Sequence, residues 1–220
     1  MITLGIDTSA AEGGVALCRD DETLTELMME SSLQHAEELL PLINEALSRC
    51  GMEIFDVKLV SVNSGPGSFT GLRIGLATAK GICQAAKIPL VGIDGWRMFR
   101  ERAASDANAR VCVVIKNRRD MYYVQWFVGG SRLHKAGVFL GDQVVEKIRA
   151  EKRPLSVIGS GVSSLRERLA ECRLAECASD ELTQQSPATI ARLGARSFSQ
   201  DQLYDLEPVY VEPVLARISK

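Results

Sequence analysis

The sequence is poor in the residues that usually announce catalysis. It holds two histidines, His35 and His134, among 220 residues. Leu39 stands four places after His35, so no HxxxH pair is available to a metal, and no cysteine or aspartate cluster adjoins it. His134 falls in the polar, turn-like SRLHKAG, and there is no GxSxG elbow to support a Ser-His-Asp triad. The six cysteines (18, 50, 83, 112, 172 and 177) form no CxxC pair and sit in apolar segments, the pattern of small buried hydrophobes. Charge of one sign is lacking too. With 26 basic and 28 acidic residues, no global field draws nucleic acid to the chain, so an RNA role needs a local patch or a basic partner. No apolar run is long enough to cross a bilayer, and Asp7 interrupts the first one, which speaks against a signal peptide. The expectation is a reduced, cytoplasmic protein without a membrane partner.

What is present is an α/β rhythm. Aromatics make up 5% of a chain that is 46% hydrophobic, so small and aliphatic residues must fill the core. ITLGID, GGVALCR and TLTELMMES, separated by short turns, predict an antiparallel meander. Ala36, Leu39, Leu40, Ile43, Leu47 and Cys50 follow helical spacing, with Pro41 inside and Gly51 as a stop. VKLVSVNS predicts a buried strand, followed by a glycine loop, a helix to about Lys87, a break at Pro89 and the strand PLVGID. A second half opens near Trp96. ARVCVVIK and MYYVQWFVG flank NRRD as a hairpin, a strand follows near residues 136–140, and then helix, strand and helix. SPATIARLGARSF predicts a helix with Ser186 as N-cap and Pro187 at its first position. The halves repeat a rough order of strands, helix, strand, helix. The boundary is placed at residue 98, giving 1–98 and 99–220, with a C-terminal helix free to pack back on the first half.

The segment NSGPGSFTGLRIGLATAKG, residues 63–81, admits two readings. Glycines between a buried strand and a helix can turn backbone N–H groups toward an anion. The spacing Gly65, Gly67, Gly71 is neither GxGxxG nor GxxxxGK[ST], so the nucleotide signal is weak. The helix itself favours close packing. Arg73, Lys80, Gln84 and Lys87 form one narrow polar stripe, while Gly71, Gly75 and Ala79 make a flat strip. Either the chain's own sheet or a partner chain fits that strip. Leu42 and Ala46 widen the apolar face of the preceding helix in the same way. Asp7 ends the first strand, where α/β sheets place functional groups. It can hold a metal or orient a phosphate, or it can close the Thr8–Ser9 turn. Lys116, Arg118, Arg119, Arg97, Arg100 and Arg102 supply local positive charge, as a solvated rim or a phosphate-facing patch.

Together GIDTSAAEGGVAL, QHAEELLPLINEAL and the glycine segment, with VVIKNRRDMYYVQW and EPVYVEP as weaker matches, resemble the bacterial TsaB (YeaZ) family. The resemblance implies an actin/Hsp70-like (ASKHA) fold: two related α/β lobes with mixed sheets. It implies a non-catalytic subunit that pairs with the larger paralogue TsaD through the helices of the first lobe. TsaD performs the transfer that makes N6-threonylcarbamoyladenosine beside the anticodon of tRNAs reading codons that begin with A. The ATPase TsaE joins that pair, tRNA is met only through the complex, and a homodimer forms through the same helices when TsaD is absent. Leu39, in place of the second metal-binding histidine of TsaD, puts this chain on the non-catalytic side. On this basis Leu39, Leu40, Ile43, Leu72, Leu76 and Ala79 are expected to form or support the interface. Asp7, Ser9, Gly65, Gly67 and Ser68 are expected to line a vestigial or shared nucleotide cleft. The chain itself requires no cofactor, with ATP or ADP near it in the complex. Where the family carries an Asp-Ala-Arg run, this sequence has Lys116-Asn117-Arg118. The alternative is a self-sufficient enzyme of the same fold, a metallopeptidase or a small-molecule kinase.

Overall fold

The computed structural model describes residues 1–29, 35–103, 108–198, 206–209 and 211. In chain order the first half gives β1 (Ile2–Asp7), β2 (Gly14–Arg19), β3 (Glu22–Met28), α1 (His35–Arg49), β4 (Leu59–Gly65), α2 (Phe69–Ala86), β5 (Leu90–Asp94) and α3 (Gly95–Ala103). The second gives β6 (Arg110–Lys116), β7 (Met121–Val128), β8 (Ser131–Arg132), β9 (Gly137–Leu140), α4 (Gly141–Arg149), β10 (Leu155–Ile158), α5 (Val162–Leu169), β11 (Ala175–Cys177), α6 (Asp180–Thr183) and α7 (Pro187–Ser197). The side chain of His35 lies outside the described residues.

Two mixed sheets result. The first runs β3-β2-β1-β4-β5, the second β11-β10-β6-β7-β8, with β9 paired to β7. In each, a first strand pairs antiparallel with the next (β1 with β2, β6 with β7) and parallel with a later one (β4, β10). The crossovers carry α1 in the first half and α4 in the second. The halves therefore share a topology that no direct sequence repeat reveals. Central β4 is buried along its whole length, as a parallel strand covered on both faces must be.

The core is layered. α1 and α2 cover one face of the first sheet, meeting Leu4, Ile6, Val60 and Val62 through Leu39, Ile43, Leu76 and Ala79. α4 and α5 cover the far face of the second sheet. Between the sheets lies a cluster that joins Val91 and Ile93 to Val111, Val113 and Ile158 through Trp96, Phe99 and Ile190. α3 and α7 supply those bridging side chains. Residue 98 falls inside α3, and α7 packs on β1, β2 and β4, so both helices belong to a layer shared by the two halves. Ser186 caps α7 as its sequence implies, accepting the Thr189 N–H.

The glycine strip of α2 is filled from within the chain. A Cβ at Gly71 would strike the Thr8 carbonyl oxygen, and one at Gly75 would strike the Thr8 hydroxyl. That hydroxyl donates to the Gly71 carbonyl at 2.7 Å. The close approach that the sequence left open between sheet and partner is thus made by the turn after β1. Gly81, on the outward side, has nothing within 4 Å of an added Cβ. The two glycines should respond oppositely to alanine. Gly81→Ala should stabilise by about 1 kcal/mol through helix propensity. Gly75→Ala should destabilise by about 1–3 kcal/mol despite the same propensity gain, because Thr8 has no room to retreat. Urea denaturation of the two variants checks the difference in sign.

Candidate functional site

The site begins where β1 and β4 end side by side. β1 delivers Asp7 and the Thr8–Ser9 turn, and β4 delivers Asn63, Ser64 and Gly65. The Asp7 carboxylate is fully buried. Its Oδ1 accepts the Ser9 N–H at 2.9 Å and the Ser9 hydroxyl at 2.6 Å. Its Oδ2 accepts the Asn63 amide at 2.9 Å, and that amide also reaches the Ser9 Oγ at 3.0 Å. Asn63 Oδ1 in turn accepts the Gly65 N–H at 2.9 Å. The Ser68 N–H donates to the Ser9 carbonyl at 2.7 Å, and Ser68 Oγ caps α2 by accepting the Gly71 N–H. Of the two roles open to Asp7, turn closure is the one its contacts perform. The amides of Gly65, Ser68 and Gly71 are engaged inside the chain, so this loop is unlike a cradle whose amides all await an anion.

Above this knot lies a cleft of about 970 Å³ between the sheets. Ser9, Gly67 and Ser68 line it, whereas Asp7 and Gly65 lie beneath its wall. Gly65 is covered by Val209, whose N–H donates to the Ser64 carbonyl at 2.7 Å. The opposite wall carries Lys116, Asn117, Arg118, Ser160 and Ser163. Lys116, at the end of β6, donates its backbone N–H to Ser160 Oγ at 3.1 Å. Its ammonium reaches the Tyr122 hydroxyl at 3.0 Å and lies 4.4 Å from that ring's centroid. Gln185, just before the cap of α7, closes the wall at 6% exposure, and neither atom of its amide has a hydrogen-bond partner among the described residues. The amide nitrogen of Asn117 is likewise buried without a partner. Sequence reasoning missed Gln185 as a cleft residue. Its position before an evident N-cap placed it at a helix entrance, but nothing local says what that entrance faces.

The expected interface residues separate into two groups. Leu39, Ile43, Leu72, Leu76 and Ala79 are all turned into the chain's own core, while Leu40 is 52% exposed. The inward five can support a surface but do not present one. A 100° step per residue finds an apolar stripe without saying which edge the sheet takes. The outward face of α2 carries Ala77, Gly81 and Ala85 at four-residue intervals, bordered on one side by half-buried Ile74, Thr78 and Ile82 and on the other by Arg73, Lys80 and Gln84. Among the described residues, no group of three or more His, Cys, Asp or Glu is arranged to hold a metal. The cysteines are free thiols, and burial pushes Cys83 up to about 12, which keeps it protonated and unreactive. No helix among the described residues is long and apolar enough to cross a membrane.

Paired mixed sheets around shared helices, with a cleft at the strand ends, define the actin/Hsp70-like class. A Bacteroides thetaiotaomicron protein described as having an actin-like ATPase fold superposes with a TM-score of 0.51 at 11% identity, covering 83% of this chain and 92% of that one. A Pseudomonas aeruginosa protein described as similar to peptidase YEAZ superposes with a TM-score of 0.76 at 23% identity, covering 96% and 99%. The family model described as TsaD, tRNA N6-adenosine threonylcarbamoyltransferase, matches residues 29–200. The tRNA threonylcarbamoyladenosine biosynthesis protein TsaB of Escherichia coli K12 is 26% identical over 153 residues. That match covers 69% of this chain and 64% of the E. coli protein, a little under two thirds of that relative's length. The chain belongs to this threonylcarbamoyladenosine family, on its TsaB (YeaZ) side.

The knot at Asp7 has a measurable consequence. Asp7→Ala would leave the Ser9 and Asn63 donors buried without an acceptor, which should cost about 3 kcal/mol. Ser9→Ala, which removes one donor and leaves the carboxylate the Ser9 N–H and the Asn63 amide, should cost about 1 kcal/mol. Denaturant midpoints at constant m-value measure both.

Proposed function

We propose that this chain is the accessory subunit of a threonylcarbamoyl transferase pair. It holds a larger paralogue of the TsaD type in its working state while that paralogue modifies the adenosine beside the anticodon of tRNAs reading codons that begin with A. It performs no transfer itself. Membership of the family supports the pathway. The residue four places after His35 is Leu39, which is committed to the hydrophobic core, so the position cannot serve as a ligand.

The observation that carries the reading is the outward face of α2. A solvated helix face should be broad and charged. Here the polar side is a narrow stripe of Arg73, Lys80 and Gln84, and beside it runs a strip of Ala77, Gly81 and Ala85 bordered by half-buried Ile74 and Ile82, low enough for another helix to approach closely; Leu40 of α1 is exposed as well. α1 and α2 pack on each other, so the two helices offer one continuous surface. A helix pair from the transferase completes a bundle there, and a second copy of this chain takes the same place when the transferase is absent. The ATPase TsaE joins the assembled pair, ATP or ADP lies near the inter-sheet cleft, and tRNA is held by the complex as a whole.

Gly81→Arg places a long cation in the centre of that face, where no neighbouring atom of the chain resists it. Pairing with the transferase, followed by co-purification and by titration calorimetry, should weaken at least about a hundredfold, the scale of a charge buried at an interface core. The melting temperature of the isolated variant should stay within a few degrees of the parent. Unchanged pairing by a folded Gly81→Arg chain would overturn the surface assignment. Normal levels of the modified adenosine in cells depleted of this chain would overturn the pathway.

A further inference from the structure

We propose that residues 206–211 are a latch on the cleft: a strap over the ends of β4 and β5 that lets go as a unit while both sheets stay folded, and so opens the first-sheet wall of the cleft.

Two glycines cut the seat for this strap into the first sheet. Gly92 lies inside edge strand β5, paired with Val62 of β4. A glycine within a strand weakens it and marks a close approach by another part of the chain. Here that part is Leu206, whose side chain supplies all three of the heavy atoms nearest an added Cβ at Gly92. Gly65, at the end of β4, does the same for the Val209 backbone, whose carbonyl oxygen and amide nitrogen both lie within 4 Å of an added Cβ. The two anchors of the strap sit in different layers. Leu206 packs on the cluster that α1 and α2 form with the first sheet, and Val211 packs on the cluster between the sheets. The strap therefore runs from the α2 side of the first sheet, over the end of β4, to the cleft, where Val209 and Val211 line the wall.

The strap is held lightly. Among the described residues, its hydrogen bonding to the rest of the chain is the bond from the Val209 N–H to the Ser64 carbonyl at 2.7 Å. Glu207 is exposed, Leu206 and Val211 are half-buried, and Pro208 has no N–H to give. β4 beneath it is buried along its whole length and paired on both sides, with β1 and with β5. Segments with few buried apolar contacts and few hydrogen bonds open locally, well before the fold as a whole. When the strap lifts, the Ser64 carbonyl and Gly65 are uncovered and the cleft loses the part of its wall that Val209 and Val211 supply. Leu206 shares its layer with α2 and Val211 shares its layer with the cleft, so a shift on either side acts on the same strap.

Hydrogen exchange on the full chain tests this. The Val209 amide is expected to exchange at least about a hundredfold faster than the amides of β4, yet at least about tenfold slower than in an unstructured peptide. Gly92 lies outside the left-handed backbone region, so alanine suits the strand there and Leu206 is what the new methyl group meets first. Gly92→Ala should therefore speed exchange at Val209 at least about tenfold, with β1, β4 and β5 unchanged and the melting temperature within a few degrees of the parent. Leu206→Ala removes the same anchor from the other side and should do the same. Because both act through one contact, the double variant should exchange at Val209 no more than about twofold faster than the faster single variant. If Gly92→Ala melts early, Leu206→Ala carries the test alone. Three results would overturn the latch: exchange at Val209 as slow as in β4, exchange as fast as in an unstructured peptide, or faster exchange in the folded variants that spreads through β4 and β5 together with Val209.

Discussion

One buried carboxylate fixes how the first half is put together. Asp7 gathers the Ser9 turn and the Asn63 amide around itself, and Ser9 passes the constraint on by accepting the Ser68 N–H. Thr8, held in the same turn, bonds the first turn of α2 through the Gly71 carbonyl. The start of α2 is therefore pinned to the end of β1 by side chain and backbone together. A charged group without partners at that depth would be strongly unfavourable. With these partners it becomes a point about which two strand ends and a helix are set.

The position of α2 has two consequences. Its glycines at 71 and 75 are used against Thr8, which draws the helix close to the sheet and turns Leu72, Leu76 and Ala79 inward. The remaining small residues, Ala77, Gly81 and Ala85, are left facing out. One helix thus carries two close-packing faces, one satisfied by its own sheet and one that the proposed partner would cover. The same strand ends form the first-sheet wall of the cleft, and α3 and α7 set its opening by joining the two sheets through a common apolar layer.

Much of this architecture is legible in the residues. The three-strand meander, the stop at Gly51, the break before Pro89 and the Ser186 cap are local signals, and local hydrogen bonding decides them. The short strands β8 and β11 and the short helix α6 carry too few residues for periodicity to register, and tertiary packing makes them. α3 reads in sequence as a run of arginines. In the structure Trp96, Met98 and Phe99 take its buried face and the arginines its rim. Which apolar residues of α1 and α2 turn inward could not be separated by spacing alone: Leu42 and Ala46, which widen the apolar face of α1, pack with the core, while Leu40 is exposed. Of the cleft residues, Ser9, Gly67 and Ser68 follow from their motif, whereas Gln185 reaches the same space from more than a hundred residues away. Only the fold brings it there.

The central claim is that the outward edge of α1 and α2 is the surface another chain covers. Hydrogen exchange of the full chain, alone and with the transferase of its own organism, tests it most directly. Slowed exchange confined to residues 36–49 and 69–86, with 141–169 unchanged, is the result expected. Slowed exchange across the second sheet and its helices, with α1 and α2 exchanging as they do in the free chain, would contradict it.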